Sequence, residues 1–507
     1  MSKISEKLTR WFGAVFAAVF IVTFLLVVIM PPKESLKFPV YPFNPFVVLL
    51  GAAACVALTV WIYHLLCGFN FKNKRFFEIT CLFFMFAIYI IIQLYVAREI
   101  ETEFVHGWDF GTVVRYARDY VEFDIPGGVY LSDYPNNIPL YLLLTLVFRL
   151  AKFCGIDYGI AGIIFNIVMI DTALLVLYLC AKKMRGRKTA FIILLAALFT
   201  VPILLYVAIY YTDTVTMVFP IGAFYIWLFV KEKIAENKRY KACILIVLLA
   251  VVVAVGALLK MTVAIVGIAI LIDAALSFKL KKAIAVAVLA VVVFAGVFVP
   301  ANAAMPYAKS LEPPDASRYF PSSHWIMMGL NGVGSYNSSD IAMVENMPLE
   351  QRDKLVGIII KERIREKGFF GMLKHLGGKV SFTWGEGTFS APYKVRRDRM
   401  EKSSLDRYWS VEGENYAAIP LQSQFMMVAM IAGLILAGIR LMRKKPGARD
   451  FLVCLVAIFG LFVFLLIWET RSRYLTNYIP IMLLVCIPAV IESAKEIIAR
   501  IKKCRKA

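Results

Sequence analysis

The longest polar part of the chain lacks cysteine. All nine cysteines fall outside 301–420, so that region holds neither a disulfide nor a thiolate metal site. Histidine is scarce, with four scattered copies, which argues against a histidine-cluster zinc site. Acids are the minority: 35 Asp and Glu face 56 Lys and Arg, for a net charge of +21. There is no phosphate-binding glycine loop, no nucleotide fold, no internal repeat and no low-complexity tract.

What is plentiful is apolar length. Hydrophobic residues make up 60% of the 507 and mean hydropathy is +0.73, where a soluble domain is about half apolar. Apolar runs of about 20 residues recur, each enough to span a hydrocarbon core of ~30 Å. The fold class is therefore an all-α polytopic membrane protein of about twelve transmembrane helices. The basic excess sits in short clusters between the runs. That is the positive-inside pattern of cytoplasmic loops, so the partner it implies is membrane lipid and not nucleic acid.

Charge then orders the chain. Basic clusters at the N-terminus, Lys72–Arg75, Lys182–Lys188, Lys231–Lys241, Lys279–Lys282, Arg440–Arg449 and from Lys495 mark the cytoplasm. Spans are expected at 11–30, 46–67, 77–97, 159–181, 190–208, 214–230, 242–258, 262–278, 283–300, 421–440, 450–468 and 474–493, with both termini inside the cell membrane. The first run reads as an uncleaved span, because no small-residue cleavage site follows it. Five regions result: transmembrane 1–97, a first external loop 98–158, transmembrane 159–300, a large external loop 301–420 and a C-terminal transmembrane region 421–507. Leu140–Phe153 does not fit as a span. Crossing there would put the basic loop Lys182–Lys188 outside, so this helix and Asp109–Glu122 are expected to lie along the outer membrane surface. In the large loop, Pro348–Lys367 reads as a helix and Phe369–Trp384 as an amphipathic one.

The first external loop concentrates acids, among them Glu99, Glu101, Glu103 and Asp109. Asp109, in Gly107-Trp108-Asp109-Phe110, suits either an N-cap or a general base at the membrane edge. Tyr134-Pro135-Asn136-Asn137 reads as a rigid lead into the surface helix, with amides that also suit sugar hydroxyls. Asp213, in a tight turn between spans, is either an N-cap or a second acid. Lys260, in another tight turn, is either a snorkelling side chain or a cation for a lipid phosphate. Glu469-Thr470-Arg471-Ser472-Arg473-Tyr474 places two arginines outside, against the positive-inside preference, and arginine forks bind phosphate in a bidentate way. In the large loop, His324 and Asn331 lie in one glycine- and aromatic-rich stretch and Glu386 in another; both suit sugar contacts or loop packing.

The order of these pieces resembles the GT-C superfamily of polyprenyl-phosphate-sugar glycosyltransferases. It looks most like the bacterial members of the protein O-mannosyltransferase and aminoarabinose-transferase branch. The resemblance implies an inverting transfer of a sugar from a polyprenyl-phosphate donor to a glycan, glycolipid or protein acceptor. It assigns the base to Asp109 and lipid-phosphate binding to Lys260, Arg471 and Arg473. No cofactor is required, though a divalent cation between Asp109 and Asp213 is compatible. The chain departs from the pattern in having two spans before the one that leads into the acidic loop. It also has Asp109-Phe110 where many relatives carry two adjacent acids, which leaves Asp213 as the second. The rival readings are a flippase for a lipid-linked sugar and a polysaccharide polymerase or ligase.

Overall fold

Backbone polar groups in hydrocarbon must be satisfied within the segment, so apolar runs of this length fold as helices. The computed structural model describes residues 3–31, 34–35, 38–39, 43–68, 74–100, 108–345, 347–396, 404–409 and 413–504. Glu101 and Glu103 of the acidic loop, and Lys72 and Asn73 of one basic cluster, lie outside the described residues. Among the described residues, eleven helices are long and apolar enough to cross a membrane, and one bent pair qualifies with them. The chain is an all-α, multi-pass membrane protein. A pairing of Glu34–Ser35 with Phe38–Pro39 is the one sheet among the described residues.

The bundle has two chemically distinct ends. At one, the basic clusters meet acids: Arg185 pairs with Asp450 at 3.0 Å and Glu492 at 2.6 Å, and Arg440 with Glu496 at 2.6 Å. Asp273 sits there between Lys231 and Arg449. The first helix begins at this end, where Ser5 donates to the Leu276 carbonyl and Glu6 pairs with Lys444. The last helix finishes there, with Glu496 against Lys445. The long loops gather at the other end.

Two expected spans take other forms. The run 190–208 was expected as one helix, but Arg187–Leu198 and Val201–Ala208 meet at 67°. Pro202 has no N–H to continue the helical ladder, and Thr200 before it is extended. The carbonyls of Tyr206 and Val207 accept instead from the Asn166 amide, at 2.7 and 3.0 Å. The run 262–278 is a short apolar segment, Met261–Ser277. It still connects the two ends, from Lys260 to Asp273.

Pro135–Cys154 also has the length and composition of a span, yet contacts hold both its ends at one level. Asn137 at its start accepts from the Tyr211 hydroxyl at 2.7 Å. Phe148, a turn and a half from its finish, packs on Tyr210 and Tyr158, with centroids 6.4 and 5.3 Å apart. Tyr158 in turn bonds Glu122 of the neighbouring helix Asp109–Phe123. One face, with Leu140, Tyr141, Leu144 and Phe148, is fully buried, while Leu146, Leu150 and Phe153 are exposed.

The first helix, Lys3–Ile29, packs very closely on Ala418–Met442. A Cβ added to Gly13 would lie 2.7 Å from the Met442 amide nitrogen, and one added to Gly438 would lie 3.0 Å from that of Ala17. Small residues four apart bring the two backbones together, the usual means of helix association in lipid. Gly13→Val should therefore force the pair apart at a cost of about 1–3 kcal/mol. A lowered melting temperature of the detergent-solubilised protein would register it; no shift would mean that the contact is looser than described.

Candidate functional site

The long loops and the ends of five spans, Thr212–Ala235, Arg239–Leu259, Leu280–Tyr307, Ala448–Ile467 and Ser472–Cys504, enclose a cavity of about 900 Å³. Local chain geometry explains who reaches it. Trp108 is extended and acts as the N-cap of the helix Asp109–Phe123 with no side-chain capping bond. Asp109 is therefore the first helical residue and not a cap, and its side chain is left to face the cavity, 40% exposed. Asp213 caps nothing either, since Tyr211 holds the N-cap position of Thr212–Val215 without a side-chain bond.

The helix Leu452–Ile467 ends at extended Trp468, and Arg471 is extended too. Extended backbone turns successive side chains to opposite faces. Glu469 and Arg471 accordingly line the cavity, and Arg473 reaches it from the first turn of the 3-10 helix Ser472–Tyr478. Thr470 and Ser472 point back, to Thr383 at 2.7 Å and Ser390 at 2.9 Å.

Asp213, Lys260 and Arg473 form a buried ionic knot. Asp213 Oδ1 pairs with Lys260, and Oδ2 accepts from Arg473 at 2.9 Å. The three side chains are only 5%, 11% and 6% exposed. Arg473 also lies 3.9 Å from Asp109 and stacks 5.0 Å from the Trp108 ring. A divalent cation bridging Asp109 and Asp213 would have to displace the guanidinium that lies against both. No group of three or more metal-ligating side chains occurs among the described residues.

A second pair stands beside the knot. Arg471 donates to Glu469 at 3.1 Å, and the Tyr474 hydroxyl donates to the same carboxylate at 2.8 Å. Across the cavity, Tyr211 donates to Asn137, whose amide donates to the Tyr130 hydroxyl at 2.8 Å. The charged lining residues are Arg115, Lys260, Lys394, Arg471 and Arg473 against Asp109, Asp213 and Glu469, a net charge of +2. One wall is apolar, with Leu258, Met261, Phe298 and Phe464.

A family described as a conserved hypothetical integral membrane protein matches residues 5–494. The chain belongs to that family. No curated protein and no solved structure matches it.

Of the residues singled out in the sequence, the cavity collects Asp109, Asp213, Lys260, Arg471 and Arg473. Tyr134, Asn136, Asn137, Glu469 and Tyr474 line it as well. Three do not reach it. Asn331 instead bonds Asp340 at 3.1 Å, inside an ion pair with Arg363. Glu386 is buried and accepts from Thr388, Ser472 and the Ser390 amide, so it holds the back of the arginine segment. Burial pushes its carboxyl up, with those donors opposing.

His324 is fully buried against Phe320 and Trp325, and neither ring nitrogen has a hydrogen-bond partner among the described residues. Burial pulls its pKa down to about 4. Below the ordinary value of about 6.5 the unfolded chain takes up a proton that the folded one refuses. The large loop should thus lose stability as pH falls from 6.5 toward 4, by up to about 1.4 kcal/mol per pH unit. His324→Phe should flatten that dependence when proteolysis of the loop is followed from pH 7 to 5; an unchanged profile would remove His324 as its cause.

Sequence reasoning passed over Trp108, Tyr130, Tyr211, Trp325 and Lys394, all of which line the cavity. Lys394 stands 3.6 Å over the Trp108 ring. Its signal was present: a basic residue in a long loop assigned to the outside, the same anomaly that singled out Arg471 and Arg473.

Proposed function

We propose that this protein transfers a sugar, with inversion, from a polyprenyl-phosphate donor to an acceptor hydroxyl at the outer face of the cell membrane. The observation that carries the reading is a single exposed carboxylate, Asp109, facing a cavity of net charge +2 with one apolar wall. A lipid-linked phosphate needs cations and an apolar surface together. An acceptor hydroxyl needs a base.

In this mechanism Asp109 takes the proton from the acceptor hydroxyl as its oxygen bonds to the anomeric carbon. The bond from that carbon to the phosphate oxygen breaks, and the electron pair leaves with the lipid phosphate. Arg471 and Arg473, with Lys260 behind, stabilise the charge that grows there, the contribution that is often largest. Asp213 acts as the counter-ion that keeps Lys260 and Arg473 charged and aimed. The acceptor is a wall polymer, a glycolipid or a protein, which makes polymerases and ligases of polysaccharides variants of the same chemistry.

Transport of a lipid-linked sugar has less support. It calls for free polar groups at mid-span; Asp171, bonded to Gln93 at 3.0 Å, is one such group, whereas Asn166 serves the bent helix and Asp273 is ion-paired. Purified protein in liposomes, given radiolabelled polyprenyl-phosphate sugars and membrane-extract acceptors, should release labelled glycan or free sugar. Movement of donor across the bilayer without transfer would count against the reading.

A further inference from the structure

Lys379 has no carboxylate partner among the described residues. It is 1% exposed, and its Nζ donates to the carbonyls of Gly329 at 2.9 Å, Leu466 at 2.9 Å and Trp468 at 2.8 Å. The last two carbonyls close the helix Leu452–Ile467, where the final C=O groups lack helical partners and the dipole favours a cation. The next residues are Glu469, Arg471 and Arg473.

Lys379 belongs to a stripe on the helix 369–384, which non-helical Gly368 (φ +56) separates from the helix 349–367, as the sequence leads one to expect. His375, Lys379 and Thr383 are four apart and so share one face. His375 places its ring nitrogens 3.1 Å from the Gly332 carbonyl and 3.0 Å from that of Gly329. Thr383 bonds Thr470 at 2.7 Å, and the Thr470 amide donates to the Gly334 carbonyl at 2.7 Å. The loop glycines are there for close approach. A Cβ on Gly329 would lie 2.8 Å from the Trp468 carbonyl oxygen, and one on Gly334, at φ +79, would lie 2.5 Å from the Lys379 stem.

We propose that Lys379 is a positioning residue, which clamps the start of the segment Glu469–Arg473 to the glycine loop and so aims its two arginines into the cavity. The consequence for ligand rests on the function proposed above; the clamp itself does not. Burial lowers the Lys379 pKa to about 8, with Glu469 opposing, as befits an ammonium held by carbonyls alone.

The test is hydrogen–deuterium exchange of the full-length protein in nanodiscs, beside binding of undecaprenyl phosphate. Lys379→Met should speed exchange across 468–474 and weaken binding of that lipid about tenfold, the lower range for groups that orient a binding shell. Lys379→Gln, which keeps two donors, should fall between the variant and wild type. Unchanged exchange across 468–474 would overturn the proposal. So would exchange that quickens throughout the protein in step with a lower melting temperature, since that is a merely structural loss. Local loosening with unaltered lipid binding would keep the clamp and sink the phosphate reading of the cavity instead.

Discussion

Asp109→Asn should reduce sugar transfer about 10²–10⁴-fold, the range that general base catalysis contributes. Donor binding and melting temperature should change little. The side chain is 40% exposed and its nearest cation is 3.9 Å away, so its loss leaves no tightly paired charge stranded. The amide is the same size but cannot accept the proton. Transfer measured under single-turnover conditions separates chemistry from binding. Activity surviving in the variant would place the base elsewhere in the cavity. A variant that binds donor poorly would make Asp109 a ligand for the substrate and not its base.

The crossings were legible because each is a long apolar run, and the charge pattern ordered them. For Pro135–Cys154 composition and charge disagree: its composition says span, and the cost of placing Lys182–Lys188 outside says surface helix. The bend at Phe199–Thr200 was hidden, although Pro202 marked it, because the run stays apolar on both sides. The site was legible where a residue broke a local rule, as Asp213 and Lys260 do in apolar turns and Arg471 and Arg473 do in a turn that the charge pattern assigns to the outside. It was not legible where only contact gives a residue its role. Lys379 reads as one more base on an amphipathic helix until its three carbonyls are seen. His324 and Glu386 look like sugar ligands in sequence, and their burial behind the cavity wall is a matter of packing alone.

Asp109 and Asp213 should respond oppositely to the same substitution. Asp213→Asn removes the counter-charge from Lys260 and Arg473, both buried. Stranding a buried charge costs about 3–5 kcal/mol, and a cation at membrane depth has few other partners. Arg473 retains the long contact to Asp109 and the rings of Trp108, Tyr211 and Tyr474 at 5.0, 5.5 and 5.2 Å, and Lys260 retains the Tyr474 ring at 5.4 Å, none of which carries a negative charge as close as Asp213 does. The variant should therefore express poorly and melt at a lower temperature before any question of activity arises. Asp213→Asn combined with Lys260→Met should recover much of that stability, because one acid and one base leave together and Arg473 can turn to Asp109. The double variant should still transfer sugar poorly, since Asp109 is then held by the guanidinium and a cation for phosphate is gone. Melting curves of the single and double variants in one detergent decide the matter. An Asp213→Asn protein as stable as wild type but inactive would instead make Asp213 a participant in the chemistry, and its pairing with Lys260 and Arg473 a feature of the resting site only.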